Sequence, residues 1–171
     1  MRAPDRASQA SAAAVASRDG LLGRSRIASW AVRVGTAAAL GIDAAVHAGN
    51  ASAYDAVTAT VSQGALFRVE AGVAAAAGLL VLVRPRRSSW VAALLLAASA
   101  LAAVLVYRYV DLGSLGPLPD MYENTWQVPG KVLSAYAEGA AVVLAGLDLL
   151  VHRKPRDGTA DSSGHDTQKR G

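Results

Sequence analysis

Asp43 and His47 stand four residues apart in the stretch IDAAVHA, while Glu70 and Glu138 stand alone inside two other apolar blocks. Four residues is about one helical turn, so Asp43 and His47 share a helix face. Carboxylates and an imidazole projecting from facing helices are the groups with which a helical bundle holds a divalent metal. The same groups can relay protons, or bind a small polar or cationic solute. A structural reading stands beside these: Arg68 and Arg108, at a similar level, neutralise Asp43, Glu70 and Glu138 and fix the register of the helices. No Glu-x-x-His pair accompanies Asp-x3-His, so a metal site would need Asp43, His47, Glu70 and Glu138 to meet in space.

Other chemistries are excluded more readily. The chain has no cysteine, which removes disulfides, thiolate metal sites and thiol redox catalysis. His152 and His165 follow the last apolar block and only His47 lies near another, so the paired axial histidines of a b-type haem are missing. There is no phosphate loop, nucleophile elbow or His-Glu-x-x-His motif. The sequence therefore points away from an enzyme and names no cofactor.

The elements that must position these residues are legible from hydropathy. Of 171 residues, 53% are apolar but only 5% aromatic. The apolar residues fall in four blocks near 27–47, 64–83, 89–107 and 132–151. Each approaches the ~20 residues that cross a bilayer as a helix. This predicts an all-α fold, a four-helix transmembrane bundle. Residues 1–26 and 152–171 read as disordered cytoplasmic tails, since both are rich in small and polar residues.

Lys and Arg set the orientation. They crowd the N-terminal tail, the RPRRS loop between spans two and three, and the C-terminal tail; the loop from Ala48 to Gln63 has none. With four spans, all the basic segments fall on one side. Both termini are then cytoplasmic and the two remaining loops extracytoplasmic, as in a multi-pass protein of the plasma membrane. A cleaved signal peptide is the alternative for span one, with Ala51-Ser52-Ala53 as its cleavage site. Arg33, Asp43 and His47 interrupt its apolar run, which favours a retained span. The net charge of +4 does not imply nucleic acid, because the cations flank apolar blocks. The bilayer is the implied partner.

On this topology Asp43, Glu70 and Glu138 lie about 6–9 Å below the outer boundary, at ~1.5 Å per residue. Polar groups at that depth are costly and face the bundle interior. Arg33 and Asp148 lie at similar depth near the inner side and form an ion pair there, unless each snorkels to the cytoplasmic surface. Gly35 with Ala39, Gly72 with Ala76, and Gly139 with Gly146 permit the close helix approach that holds bundles together in lipid.

Between spans three and four runs YRYVDLGSLGPLPDMYENTWQVPGK. Its glycines and prolines forbid a continuous helix, and Met121, Tyr122 and Trp126 give it an apolar character. It is read as a lid over the polar layer, with Tyr122 and Trp126 packing inward; the alternative is a loop whose aromatics anchor in headgroups.

IDAAVHA, SQGALFRVEAG, and YRYVDLGSLGPLPDMYE with WQVPGK together resemble small four-span integral membrane proteins of actinobacterial type. The resemblance covers about 27–151 and implies a fold, with no activity or site residue attached. DoxX-like proteins share only the overall plan. The function this predicts is a small-solute or ion binding, or transport-accessory, module with an outward-facing polar pocket. The alternatives are a membrane oxidoreductase subunit binding a metal or quinone, and a structural scaffold. Four short helices are few for an autonomous transporter, which suggests a homo-oligomer or a membrane partner.

Overall fold

The computed structural model describes the backbone of residues 6–152 and the side chains of residues 26–152. Four helices carry the fold: α1 (Arg6–Asn50), α2 (Gln63–Val83), α3 (Arg87–Tyr109) and α4 (Lys131–Val151). A 3-10 turn at Ala51–Tyr54 follows α1. Each helix packs on its neighbours in chain order and α4 closes back on α1; α2 and α3 touch least. No strand occurs among the described residues; two isolated bridges lie in the loops.

Helices α2, α3 and α4 are long and apolar enough to cross a membrane, and they mark the chain as a membrane protein. α1 is the fourth helix, interrupted by Arg33 and Asp43. It begins at Arg6, well before Ile27, so its N-terminal part runs through residues that the sequence reads as a disordered tail. Ala is the best helix former and extension of an existing helix is cheap, so an Ala-rich segment next to a stable helix continues it. Residues 1–5 and 153–171, the rest of the two expected tails, lie outside the described residues.

Small residues are inside and large aliphatics outside. Ala74, Ala93, Ala97, Ala141 and Ala145 are buried, whereas Leu79, Leu95, Val143 and Leu147 are exposed. Only 28% of the apolar window of each of α2, α3 and α4 is buried in the protein. In water such a surface would aggregate; against hydrocarbon it is the stable arrangement. The apolar centre forms around Leu40, Val81 and Trp90.

The helix ends have identifiable stops. Ser62 caps α2, its hydroxyl accepting from the Ala65 amide at 3.0 Å. At the other end, the Arg33 guanidinium reaches across from α1 and donates to the carbonyls of Val81, at 3.4 Å, and Leu82. A cation on the last carbonyls of a helix opposes its dipole favourably. Gly130, at φ +79°, turns the chain into α4, and a Cβ there would meet the Val46 side chain at 2.8 Å.

The close approaches fall at other glycines than the spacing suggests. Only Gly35 of the expected group is tight, with Leu144 at 3.1 Å from a built Cβ; Gly72, Gly139 and Gly146 face open space. Gly78 lets α2 lie against Ala37 of α1, whose carbonyl would be 3.3 Å from an added Cβ. The period locates a small-residue face, but the crossing point decides which glycine is needed.

Candidate functional site: a roofed cavity above a buried carboxyl pair

Asp43 and His47 on α1 face Ser134 and Glu138 on α4, each pair one turn apart on its own helix. Asp43, Ser134 and Glu138 are buried. His47 Nδ1 lies 3.0 Å from Asp43 Oδ1 and 3.1 Å from the Asp43 carbonyl oxygen. A carbonyl oxygen only accepts, so Nδ1 carries the hydrogen. Ser134 Oγ lies 2.6 Å from Asp43 Oδ1 and 3.0 Å from Glu138 Oε1. A hydroxyl has a single hydrogen. Donated to Asp43, it leaves the Glu138 contact to be made by a hydrogen on Glu138. The group is then a carboxylate, Asp43, receiving from His47 and Ser134, and a carboxylic acid, Glu138, donating to Ser134. Glu138 Oε2 is buried without a hydrogen-bond partner, which a neutral acid tolerates far better than a carboxylate does.

Above this group is a cavity of about 210 Å³, lined from all four helices. His47, Glu70 and Ser134 supply polar groups near the carboxyl pair, and Glu123 and Lys131 supply them at the roof. Leu66, Phe67, Ala100, Val104 and Tyr107 make up much of the apolar wall. Phe67 meets the His47 ring edge-on at 5.1 Å and the Tyr54 ring at 5.0 Å. Glu70 lines the cavity and its Oε1, though buried, has no hydrogen-bond partner.

The segment between α3 and α4 covers one side of the cavity with Met121, Glu123 and Val128. Glu123 ties it down. Its amide donates to the Tyr107 carbonyl at 3.0 Å. Its carboxylate accepts from the Tyr54 hydroxyl at 2.9 Å, and its carbonyl accepts from Lys131 Nζ at 2.9 Å. Burial and the neighbouring Glu123 carboxylate push the Tyr54 hydroxyl up to about 12. Further ties come from Asn50 Nδ2, which donates to the Pro129 carbonyl at 2.9 Å, and from the amides of Thr60 and Val61, which both donate to the Pro117 carbonyl.

The two arginines expected to neutralise the carboxyls have other partners. Arg68 forms a two-pronged pair with Asp55 at 2.7 and 2.8 Å. This pair is half exposed, and the guanidinium holds the Asp55 carboxyl below its usual range. Arg108 lies over the rings of Tyr109 and Trp126, at 5.0 and 5.7 Å. Each arginine sits one helical position off the face that points inward, and takes the partner on its own side. Of the expected layer, Asp43, His47 and Glu138 come together, with ligating atoms within 4.8 Å of one another. That trio has the donor set for a divalent cation, although its closest atoms are engaged with one another and with Ser134. Glu70 stands apart on the cavity wall.

Trp126 and Tyr122 do not line the cavity. Trp126 packs on the rim against Tyr109, Arg108 and Lys131, and Tyr122 is exposed. The roofing side chains are their sequence neighbours, because an irregular segment has no period from which to read the inward face. Arg33 and Asp148 line a second hollow at the opposite end without forming a close ion pair: Arg33 caps α2, and Asp148 Oδ1 lies 3.3 Å from His152 Nδ1.

Tyr54, Glu123, Lys131 and Ser134 are the residues that sequence reasoning missed. For Ser134 a signal exists, since it lies one turn before Glu138 as Asp43 lies one turn before His47. Tyr54, Glu123 and Lys131 carry no such signal, because their meeting depends on where the loops fold. The fold and site define a helical membrane protein with a roofed, polar-floored cavity. No family model, curated protein or solved structure matches the chain.

Proposed function

We propose that the chain is a four-span integral membrane protein with both termini cytoplasmic, and that its roofed cavity holds a small molecule taken from the outer side. It acts as a binding or transport-accessory module rather than as an enzyme. The observation that carries this is the cavity, walled by four helices, roofed by a tied-down loop, and furnished with polar groups at floor and roof. A scaffold has no need of such a space, and in a bundle packed by small side chains it is a standing loss of van der Waals contact.

A cavity-filling substitution tests the reading. Val104→Trp occupies the space from α3 without touching the polar groups. Native mass spectrometry of protein released from its own membrane in mild detergent should show a small-molecule adduct on the wild type that is missing from Val104→Trp. Equal adducts on both proteins, or none on the wild type, would count against a bound ligand.

A further inference from the structure

We infer that the cavity takes a small amphipathic cation, an ammonium on a compact apolar or aromatic body, with its charge against Glu70. This rests on the reading of the cavity as a ligand site and names the class of ligand.

The charges around the cavity select the sign. The basic groups that line the cavity are matched: Lys131 by Glu123 and His47 by Asp43. Arg68 and Arg108 turn to Asp55 and to aromatic rings. Glu70 is left over: it lines the cavity from α2, with a buried oxygen that receives no hydrogen bond. Empty, a carboxyl so placed is better tolerated as the neutral acid, as for Glu138; an ammonium supplies the hydrogens and the charge that hold it as a carboxylate. An anion entering the same space would meet Glu70 and Glu123, with Asp43 behind His47.

The walls select the body. Phe67, Tyr54, Tyr107 and the His47 ring surround the space, and aromatic faces attract a cation while covering its apolar substituents. The volume of about 210 Å³ is below the roughly 300–1,000 Å³ that holds a drug-sized molecule, which suits a small ligand. Apolar wall with one unpartnered carboxyl is the lining such a molecule fits.

The probes are benzylammonium, its uncharged carbon isostere ethylbenzene, and phenylacetate, each titrated into the full chain in nanodiscs and read by thermal shift and tryptophan fluorescence. The cation should bind saturably, with phenylacetate and the neutral isostere much weaker. Glu70→Gln, which keeps shape and removes charge, should weaken the cation roughly 10- to 100-fold, the effect of losing one charge-assisted contact. Asp120→Asn, exposed in the loop and not lining the cavity, should leave it unchanged. Saturable binding of the isostere or of phenylacetate as strong as that of the cation would overturn the charge assignment and keep the cavity as a ligand site. So would an unchanged affinity in Glu70→Gln. If no probe binds wild type, the cation inference is overturned, and the adduct comparison with Val104→Trp then decides the cavity reading separately. Because the three probes are compared on the wild type, the inference remains open to refutation even if Glu70→Gln fails to fold.

Discussion

Ser134 connects the two carboxyls in this protein, and its single hydrogen assigns their states. Asp43 receives two donors, from His47 at 3.0 Å and Ser134 at 2.6 Å, while Glu138 meets Ser134 at 3.0 Å and the Asp43 carboxyl beside it. An amide can replace a carboxylic acid that donates, but not a carboxylate that only accepts. Glu138→Gln should therefore cost less than about 1 kcal/mol of stability, whereas Asp43→Asn, which sets a donor against the donors of His47 and Ser134, should cost about 2–3 kcal/mol. Denaturation of the two variants in the same detergent measures the difference. Equal losses would mean that the proton is not held on Glu138. Asp43, His47 and Glu138 were readable as members of a larger layer with Glu70, Arg68 and Arg108, because costly polar groups in apolar blocks stand out. Their donor and acceptor roles were not, because Ser134 looks like any small residue in a helix.

At the scale of the helices, an alanine-rich interior makes each contact depend on backbone approach rather than on side-chain bulk. Gly78 packs against α1, and an added Cβ would lie 3.3 Å from the Ala37 carbonyl. Gly72, six residues earlier in α2, has nothing within 4 Å. The two glycines should respond to substitution with opposite signs. Gly78→Val should destabilise by about 1–3 kcal/mol through overpacking, while Gly72→Ala should stabilise by about 0.5–1 kcal/mol through helix propensity. Thermal unfolding of the purified variants checks both. Destabilisation by Gly72→Ala comparable with that by Gly78→Val would show that both glycines are packed, against a neighbour or a second copy.

For the whole molecule, the polar residues sort by end. Glu123, Lys131, Tyr54 and the Asp55–Arg68 pair gather at the cavity end, while Arg33, Arg84, Arg86 and Arg87 gather at the other. The lack of any cysteine makes the proposed topology testable by single substitutions at exposed positions. Thr58→Cys and Ser114→Cys, in the loops at the cavity end, should react with a membrane-impermeant maleimide added to intact cells. Ser88→Cys, in the exposed first turn of α3 beside the α2–α3 loop, should react only after permeabilisation. The reverse pattern would turn the cavity toward the cytoplasm and place its ligand there.

The sequence by itself determined the helical class, the three apolar helices and the glycine- and proline-broken segment between α3 and α4. These follow from hydropathy and backbone chemistry, which are local. It also marked Asp43, His47, Glu70 and Glu138 as residues needing an explanation, because burial of an ionisable group is costly wherever it occurs. Only the tertiary structure decided the partners. Arg68 turned to Asp55 and Arg108 to Trp126, Arg33 capped α2, Ser134 came between two carboxyls, and Glu123 fastened a roof. A hydrogen bond depends on ångström distances and donor direction, and these are set by how helices cross and where loops return. A period along the chain carries neither.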